Sequence, residues 1–99
     1  MPAAARLTDP EIARRLAALP DWTRDGEAIR RTAEATGFPA AIRVVDAVAE
    51  QAEAMDHHPD IDIRWRTLHF TLSTHSAGGL TALDFDLAAR IDEAITTHG

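Results

Sequence analysis

The order of periodicities along the chain predicts an α+β fold of the α-β-β-α-β-β-α kind: a four-stranded antiparallel sheet with three helices packed on one face. Three observations carry that expectation. Three segments repeat apolar residues at helical spacing, and each opens on a capping or proline signal. Between them lie stretches whose residues read as short strands, most of them alternating apolar and polar side chains. The links within each strand pair are too short for a crossover, which favours antiparallel neighbours. Helices that must bury one stripe then cover one face of such a sheet.

Residues 1–7 are expected to fray, leaving residues 8–99 as one domain. Thr8-Asp9-Pro10-Glu11 opens the first helix: Thr8 caps, Glu11 completes a capping box, and Pro10 is tolerated in the first turn. Ile12, Leu16 and Leu19 repeat at helical spacing until Pro20 stops the run. Trp22-Thr23 and Ala28 to Ala33 then form a hairpin around Arg24-Asp25-Gly26-Glu27, with Asp-Gly expected at the centre of the turn.

Gly37-Phe38-Pro39 opens the second helix. Ala41, Val45, Val48, Ala52 and Met55 make its apolar stripe, and Arg43, Asp46, Glu50, Glu53 and His57 make a polar stripe at the same period. Pro59 cannot continue a helix and disfavours helical geometry in the residue before it. His57 and His58 are therefore placed at or just past the helix C-terminus, with His57 on the polar face. Glu53 lies one turn before His57, from where a carboxylate can orient an imidazole.

After Pro59, Ile61, Ile63 and Trp65 alternate with Asp60, Asp62 and Arg64, as in a half-buried strand. Leu68, Phe70 and Leu72 alternate with Thr67, His69, Thr71, Ser73 and His75 in a second one. The apolar parity changes between them, which places a turn near Arg64 to Thr67 although no glycine or asparagine marks it. Ser76-Ala77-Gly78-Gly79 is a flexible connection. Thr81-Ala82-Leu83-Asp84 is another capping box, and Leu83, Leu87, Ile91 and Ile95 line the buried face of the last helix.

Composition narrows the function classes. Hydrophobic content of 45% and charged content of 26% are those of an ordinary globular domain. The formal charge of −6 disfavours non-specific binding to nucleic acid or to an anionic membrane surface. The absence of cysteine excludes disulfides, thiolate nucleophiles and Cys-ligated metal. No apolar run approaches the roughly 20 residues that span a bilayer. The first residues lack the apolar core of a secretory leader, so a cytoplasmic protein is expected.

The chemistry concentrates in His57, His58 and His75, at two element ends flanking the second strand pair. Imidazole titrates near neutral pH and suits proton transfer. Asp84 at the start of the last helix and Glu53 before His57 add carboxylates. Read singly, a histidine at a helix C-terminus is a dipole partner and an Asp in the first turn is a cap. His69 and His98 read as a strand-face residue and a chain-end residue. Adjacent histidines point in different directions, no His-x-x-x-His pair exists, and no metal site is specified. That disfavours a metal-dependent hydrolase. There is no G-x-S-x-G elbow, no P-loop and no dinucleotide fingerprint.

Taken together, Glu53-x-x-x-His57-His58-Pro59, Trp65, Ser73-Thr74-His75, Gly79-Leu80 and Asp84 with Leu87-Ala88 resemble the pterin-4a-carbinolamine dehydratases. Leu19-Pro20-Asp21-Trp22 and Leu68-His69-Phe70-Thr71-Leu72 extend the resemblance, which runs from near Thr8 to near Thr96. It implies the same element order and a hydro-lyase that converts 4a-hydroxytetrahydrobiopterin, or a related pterin, to the quinonoid dihydropterin plus water. Such an enzyme recycles the pterin cofactor of aromatic amino acid hydroxylases, which makes a hydroxylase a candidate partner. Carried over by position, His57 and His75 would share acid and base roles, and His58 would position the pterin. Asp84 and Glu53 would support them, and Asp56, Ser73 and Thr74 would join His58 and His75 as substrate contacts. One acid and one base of near-neutral pKa suffice for this reaction, so no metal or other cofactor is expected.

The resemblance further implies a homodimer or homotetramer. It leaves one alternative of another class, because relatives in animals also serve as a dimerisation cofactor of a transcription factor: a protein-interaction module for a regulatory protein. The chain departs from the family pattern at Ala35 and Val44, where phenylalanines are common; only Phe38 remains. These read as core positions, so the departure concerns packing rather than chemistry.

Overall fold

Thr8 starts the first helix as its spacing from Glu11 requires. In the computed structural model, which describes residues 5–99, the Thr8 N–H donates to Glu11 Oε1 at 3.0 Å and the Glu11 N–H donates back to Thr8 Oγ1 at 3.3 Å. The helix, α1, spans Asp9–Ala17 and buries Ile12. Of the seven residues expected to fray, 1–4 lie outside the described residues, and Leu7 is held: its N–H donates to the Leu80 carbonyl at 2.9 Å.

Strands β1 (Thr23–Asp25) and β2 (Ala28–Glu34) form the first hairpin, with Asp25 paired to Ala28. The two loop residues are therefore Gly26 and Glu27, one residue later than the expected Asp-Gly centre. Gly26 takes φ +61°, so the glycine occupies the loop position that needs a left-handed backbone.

The second helix, α2 (Phe38–Met55), buries Ala40, Ala41, Val44, Val48 and Ala52. Val45 and Met55, expected on the apolar stripe, are only partly buried. α2 packs against the last helix, and Val44 and Val48 reach the core that the sheet lines. Asp56 follows in the left-handed region at φ +51°, and the His57 N–H closes back onto the Ala52 carbonyl at 3.0 Å. This cap ends the helical periodicity one residue before His57. His57 accordingly leaves the polar stripe on which it was expected and turns into the protein, where it is buried.

Strands β3 (Asp60–Arg64) and β4 (Thr67–Leu72) form the second hairpin, and the antiparallel sheet runs β1-β2-β4-β3. β3 is an edge strand, so Ile61 is only partly buried and Ile63 is exposed, against the half-buried strand expected. Trp65 lies in the turn, not in the strand. It takes φ +53°, is 70% exposed, and carries the Arg66 guanidinium 4.7 Å above its ring. After the short 3-10 turn His75–Ala77, α3 (Ala82–His98) opens on the Thr81 cap.

The core lies between one face of the sheet and the helices. Ile29 from β2 and Leu68, Phe70 and Leu72 from β4 meet Ile12, Val44, Val48, Leu87, Ala88 and Ile91 there. Ala35 and Val44 are both buried, and Phe38 is half-exposed, so small side chains fill the positions where the resemblance led us to look for aromatics. Trp22 and Arg31 fasten the first hairpin to α3 by donating to the same Asp92 oxygen, the indole at 2.8 Å. Among the described residues, no helix is long and apolar enough to cross a membrane.

Candidate active site

The capping box of α3 is also the centre of a buried polar network. Asp84 is fully buried; its Oδ1 lies 2.6 Å from His57 Nε2. Its Oδ2 accepts the Thr74 hydroxyl at 2.7 Å and the Thr81 N–H at 3.0 Å. Thr74 gives its proton to Asp84, so the Thr81 hydroxyl, 2.8 Å away, donates to Thr74. Thr81 Oγ1 in turn accepts the Leu83 N–H at 3.2 Å. The Thr74 hydroxyl and the Thr81 N–H converge on one carboxylate oxygen and His57 meets the other, so both buried oxygens are hydrogen-bonded. A carboxylate oxygen only accepts, so the proton of the His57 pair sits on Nε2 and the ring presents Nδ1 as its other functional atom.

The other two histidines stay at the surface and share a cleft. His58 is exposed, with Nε2 2.5 Å from Glu53 Oε1. His75 is exposed at the start of the 3-10 turn. Together with Glu27, Ala28, Asp60, Thr71 and Ser73 they line a cleft of about 250 Å³. The Ser73 hydroxyl donates to the Glu27 carbonyl at 2.7 Å, fixing the tip of the first hairpin beside the end of β4. Backbone bonds between Thr74 and Gly79, at 3.1 and 3.3 Å, close the loop that carries His75. Gly79 sits against the ends of the Glu27 and Arg6 side chains, and a Cβ there would lie 2.5 Å from Glu27 Oε2, so a larger residue would push that exposed carboxylate aside.

The network and the cleft are joined through the backbone, since His57 precedes His58 and Thr74 precedes His75. Of the residues expected in a site, His58, His75 and Ser73 line the cleft, while His57, Asp84 and Thr74 form the network. Three residues sit away from the places expected of them. Glu53 bonds His58, not His57, because the left-handed cap at Asp56 carries His57 inward. Thr74 does not line the cleft, its hydroxyl being committed to Asp84. Asp56 is the exposed helix cap and does not line the cleft either.

Sequence reasoning missed Glu27, Asp60 and Thr71 in the cleft and Thr81 in the network. Thr71 was within reach, because it shares the polar parity of Ser73 and His75. Asp60 faces it across the β3–β4 register.

A family model described as pterin 4 alpha carbinolamine dehydratase matches residues 5–94. A Nocardia farcinica protein is 67% identical over 87 residues, covering 88% of this chain and 92% of its own. A Roseiflexus castenholzii protein is 60% identical over 92 residues, covering 93% and 99%. Both bear the name "Putative pterin-4-alpha-carbinolamine dehydratase". Among solved structures, a transcriptional coactivator/pterin dehydratase from Brucella melitensis superposes with a TM-score of 0.88 at 34% identity, over 91% of this chain and 98% of that one. A pterin dehydratase-like protein identified as a RuBisCO assembly factor in the alpha-carboxysome shares the fold alone, with a TM-score of 0.65 at 20% identity over 76% and 89%. The match across residues 5–94, together with relatives this similar along nearly their whole lengths, establishes that the chain belongs to the pterin 4 alpha carbinolamine dehydratase family.

Proposed function

We propose that this protein dehydrates 4a-hydroxytetrahydrobiopterin, or a closely related 4a-carbinolamine, to the quinonoid dihydropterin by histidine acid–base catalysis. The observation that carries this reading is the placement of His58 and His75 in one cleft, next in the chain to His57 and Thr74 of the buried network. In the reaction the bond between carbon 4a and its hydroxyl oxygen breaks, and the oxygen leaves as water after gaining a proton. The ring nitrogen loses its proton, and the pair it releases forms the new carbon–nitrogen double bond. One group must give a proton and another must take one, and general acid–base catalysis supplies both. We assign these two transfers to His57 and His75. His58, anchored by Glu53, contacts and positions the pterin, with Ser73 beside it. Asp84 fixes the His57 ring so that Nδ1 is the atom available for transfer.

A second assignment of the same reaction has one observation in its favour: His58 lines the cleft, whereas the His57 side chain is 9% exposed. In that assignment His58 and His75 move the protons, and His57 holds the loop in place through Asp84.

The host role that follows is recycling of the pterin cofactor of an aromatic amino acid hydroxylase in the cytoplasm. A homodimer or homotetramer is the proposed assembly, supported by the exposed apolar side chains Phe38, Ile63 and Trp65. The alternative, an interaction module for a regulatory protein, draws support from the description of the Brucella melitensis relative as a transcriptional coactivator. A dehydration assay on freshly generated carbinolamine separates the two. Acceleration above the uncatalysed rate is the expected result, and none at micromolar protein would overturn the enzyme.

A further inference from the structure

The cleft does not end at Asp60 and Thr71. This cross-strand pair also lines a second, larger hollow of about 460 Å³ on the outer face of the sheet, together with Arg30, Asp62, Arg64 and His69. The cleft alone, at about 250 Å³, falls below the about 300–1,000 Å³ usual for small-molecule sites. Joined to the hollow across Asp60 and Thr71, it falls within that range.

We propose that the hollow is a subsite for a neutral polyhydroxyl substituent on the ring held in the cleft. The proposal rests on the dehydratase reading and deepens it by naming which pterins the site selects.

Three features of the hollow set that chemistry. His69 is its central donor or acceptor: it pairs with Thr32 on one side and Asp62 on the other in the sheet register. The Thr32 hydroxyl lies 2.9 Å from His69 Nδ1, which fixes the ring, and Nε2 has no hydrogen-bond partner among the described residues. Next, the cations are already matched. Arg64 bonds Asp62 at 3.0 Å and Arg30 bonds Asp25 at 3.1 Å. A phosphate would meet Asp60 and Asp62 with no surplus cation to offset them, whereas hydroxyl groups both donate and accept. Finally, Asp60 and Thr71 face each other across the strand register where cleft and hollow meet, and His69 lies at the next position of the same parity along β4, so a carboxylate, a hydroxyl and an imidazole line the passage from one to the other.

The test compares three carbinolamines that differ only in the substituent: a methyl group, a polyhydroxyalkyl chain, and the same chain phosphorylated. For the wild-type protein, kcat/KM for the polyhydroxyl compound should exceed that for the methyl compound about three- to tenfold, the effect of one or two net hydrogen bonds, expressed in KM. The phosphorylated compound should be the poorest. In His69→Ala the polyhydroxyl-to-methyl ratio should fall to near one, and Thr32→Val, which frees the ring, should lower it in the same direction. A ratio unmoved by both variants, or a preference for the phosphorylated compound, would overturn the subsite while turnover of the methyl compound upholds the dehydratase. Failure to turn over even the methyl compound would overturn both.

Discussion

His57 and Asp84 lie 27 residues apart in the chain and meet at 2.6 Å in the interior, the imidazole Nε2 donating to a carboxylate that also caps α3. One side chain thus ends a helix and holds a candidate catalytic ring.

Replacing Asp84 should damage both. Asp84→Ala leaves the Thr74 hydroxyl, the Thr81 N–H and the His57 ring without their acceptor in a buried site. The expected loss is about 3 kcal/mol, the scale for orphaning buried donors around a charged group. Urea denaturation measures it. Asp84→Asn keeps the shape and one oxygen, and should lose less stability while still lowering kcat.

Glu53→Ala should behave as a weak copy of His58→Ala, because Glu53 bonds that ring and not His57. Both variants should raise KM more than they lower kcat. Steady-state kinetics in which Glu53→Ala cuts kcat as deeply as His57→Ala would show that the carboxylate acts on the buried ring after all.

Asp92→Ala should destabilise the fold without touching the site. It strips the acceptor from the Trp22 indole and from Arg31, both of which hold the first hairpin to α3. A loss of about 2 kcal/mol is expected, the usual cost of removing a hydrogen-bonded charged partner. Thermal unfolding reads it, with kcat unchanged at a temperature where the variant is folded.

The cap of α1 should make stability depend on acid. The Thr8 backbone N–H, and then its hydroxyl, hold the Glu11 carboxyl below its usual value. A carboxyl with a lowered folded-state pKa stabilises the fold fully above its unfolded value and loses that contribution as pH falls through the folded one. Glu11→Gln should therefore be less stable than wild type near neutrality, and the difference should shrink on acidification. Tm measured across that range checks the sign.

How much of this was legible in the sequence depended on the range of the interaction. Both capping boxes, Thr8 with Glu11 and Thr81 with Asp84, formed as spaced, because a cap needs only neighbours in the chain. The alternation of Leu68, Phe70 and Leu72 located β4 for the same reason. The inward turn of His57 was hidden because Asp56 takes the left-handed cap without a glycine to announce it. Trp65 takes the other such position, so the second turn was placed but its residue was read as strand. Exposure of Ile63 follows from β3 lying at the sheet edge, and the company of Glu27, Asp60 and Thr71 in the cleft follows from the order β1-β2-β4-β3. Both depend on pairings between distant segments that periodicity does not encode.

The central claim is that imidazoles from two elements move the two protons. It is tested most directly by kcat/KM for wild type, His57→Ala, His75→Ala and the double variant, on carbinolamine above its uncatalysed dehydration. Each single variant should lose about 10²–10⁴, the scale of general acid–base catalysis. The double variant should lose much less than the product of the two, because the residues act as a unit. If His57→Ala and His75→Ala both retain near wild-type kcat/KM, these histidines do not carry the reaction.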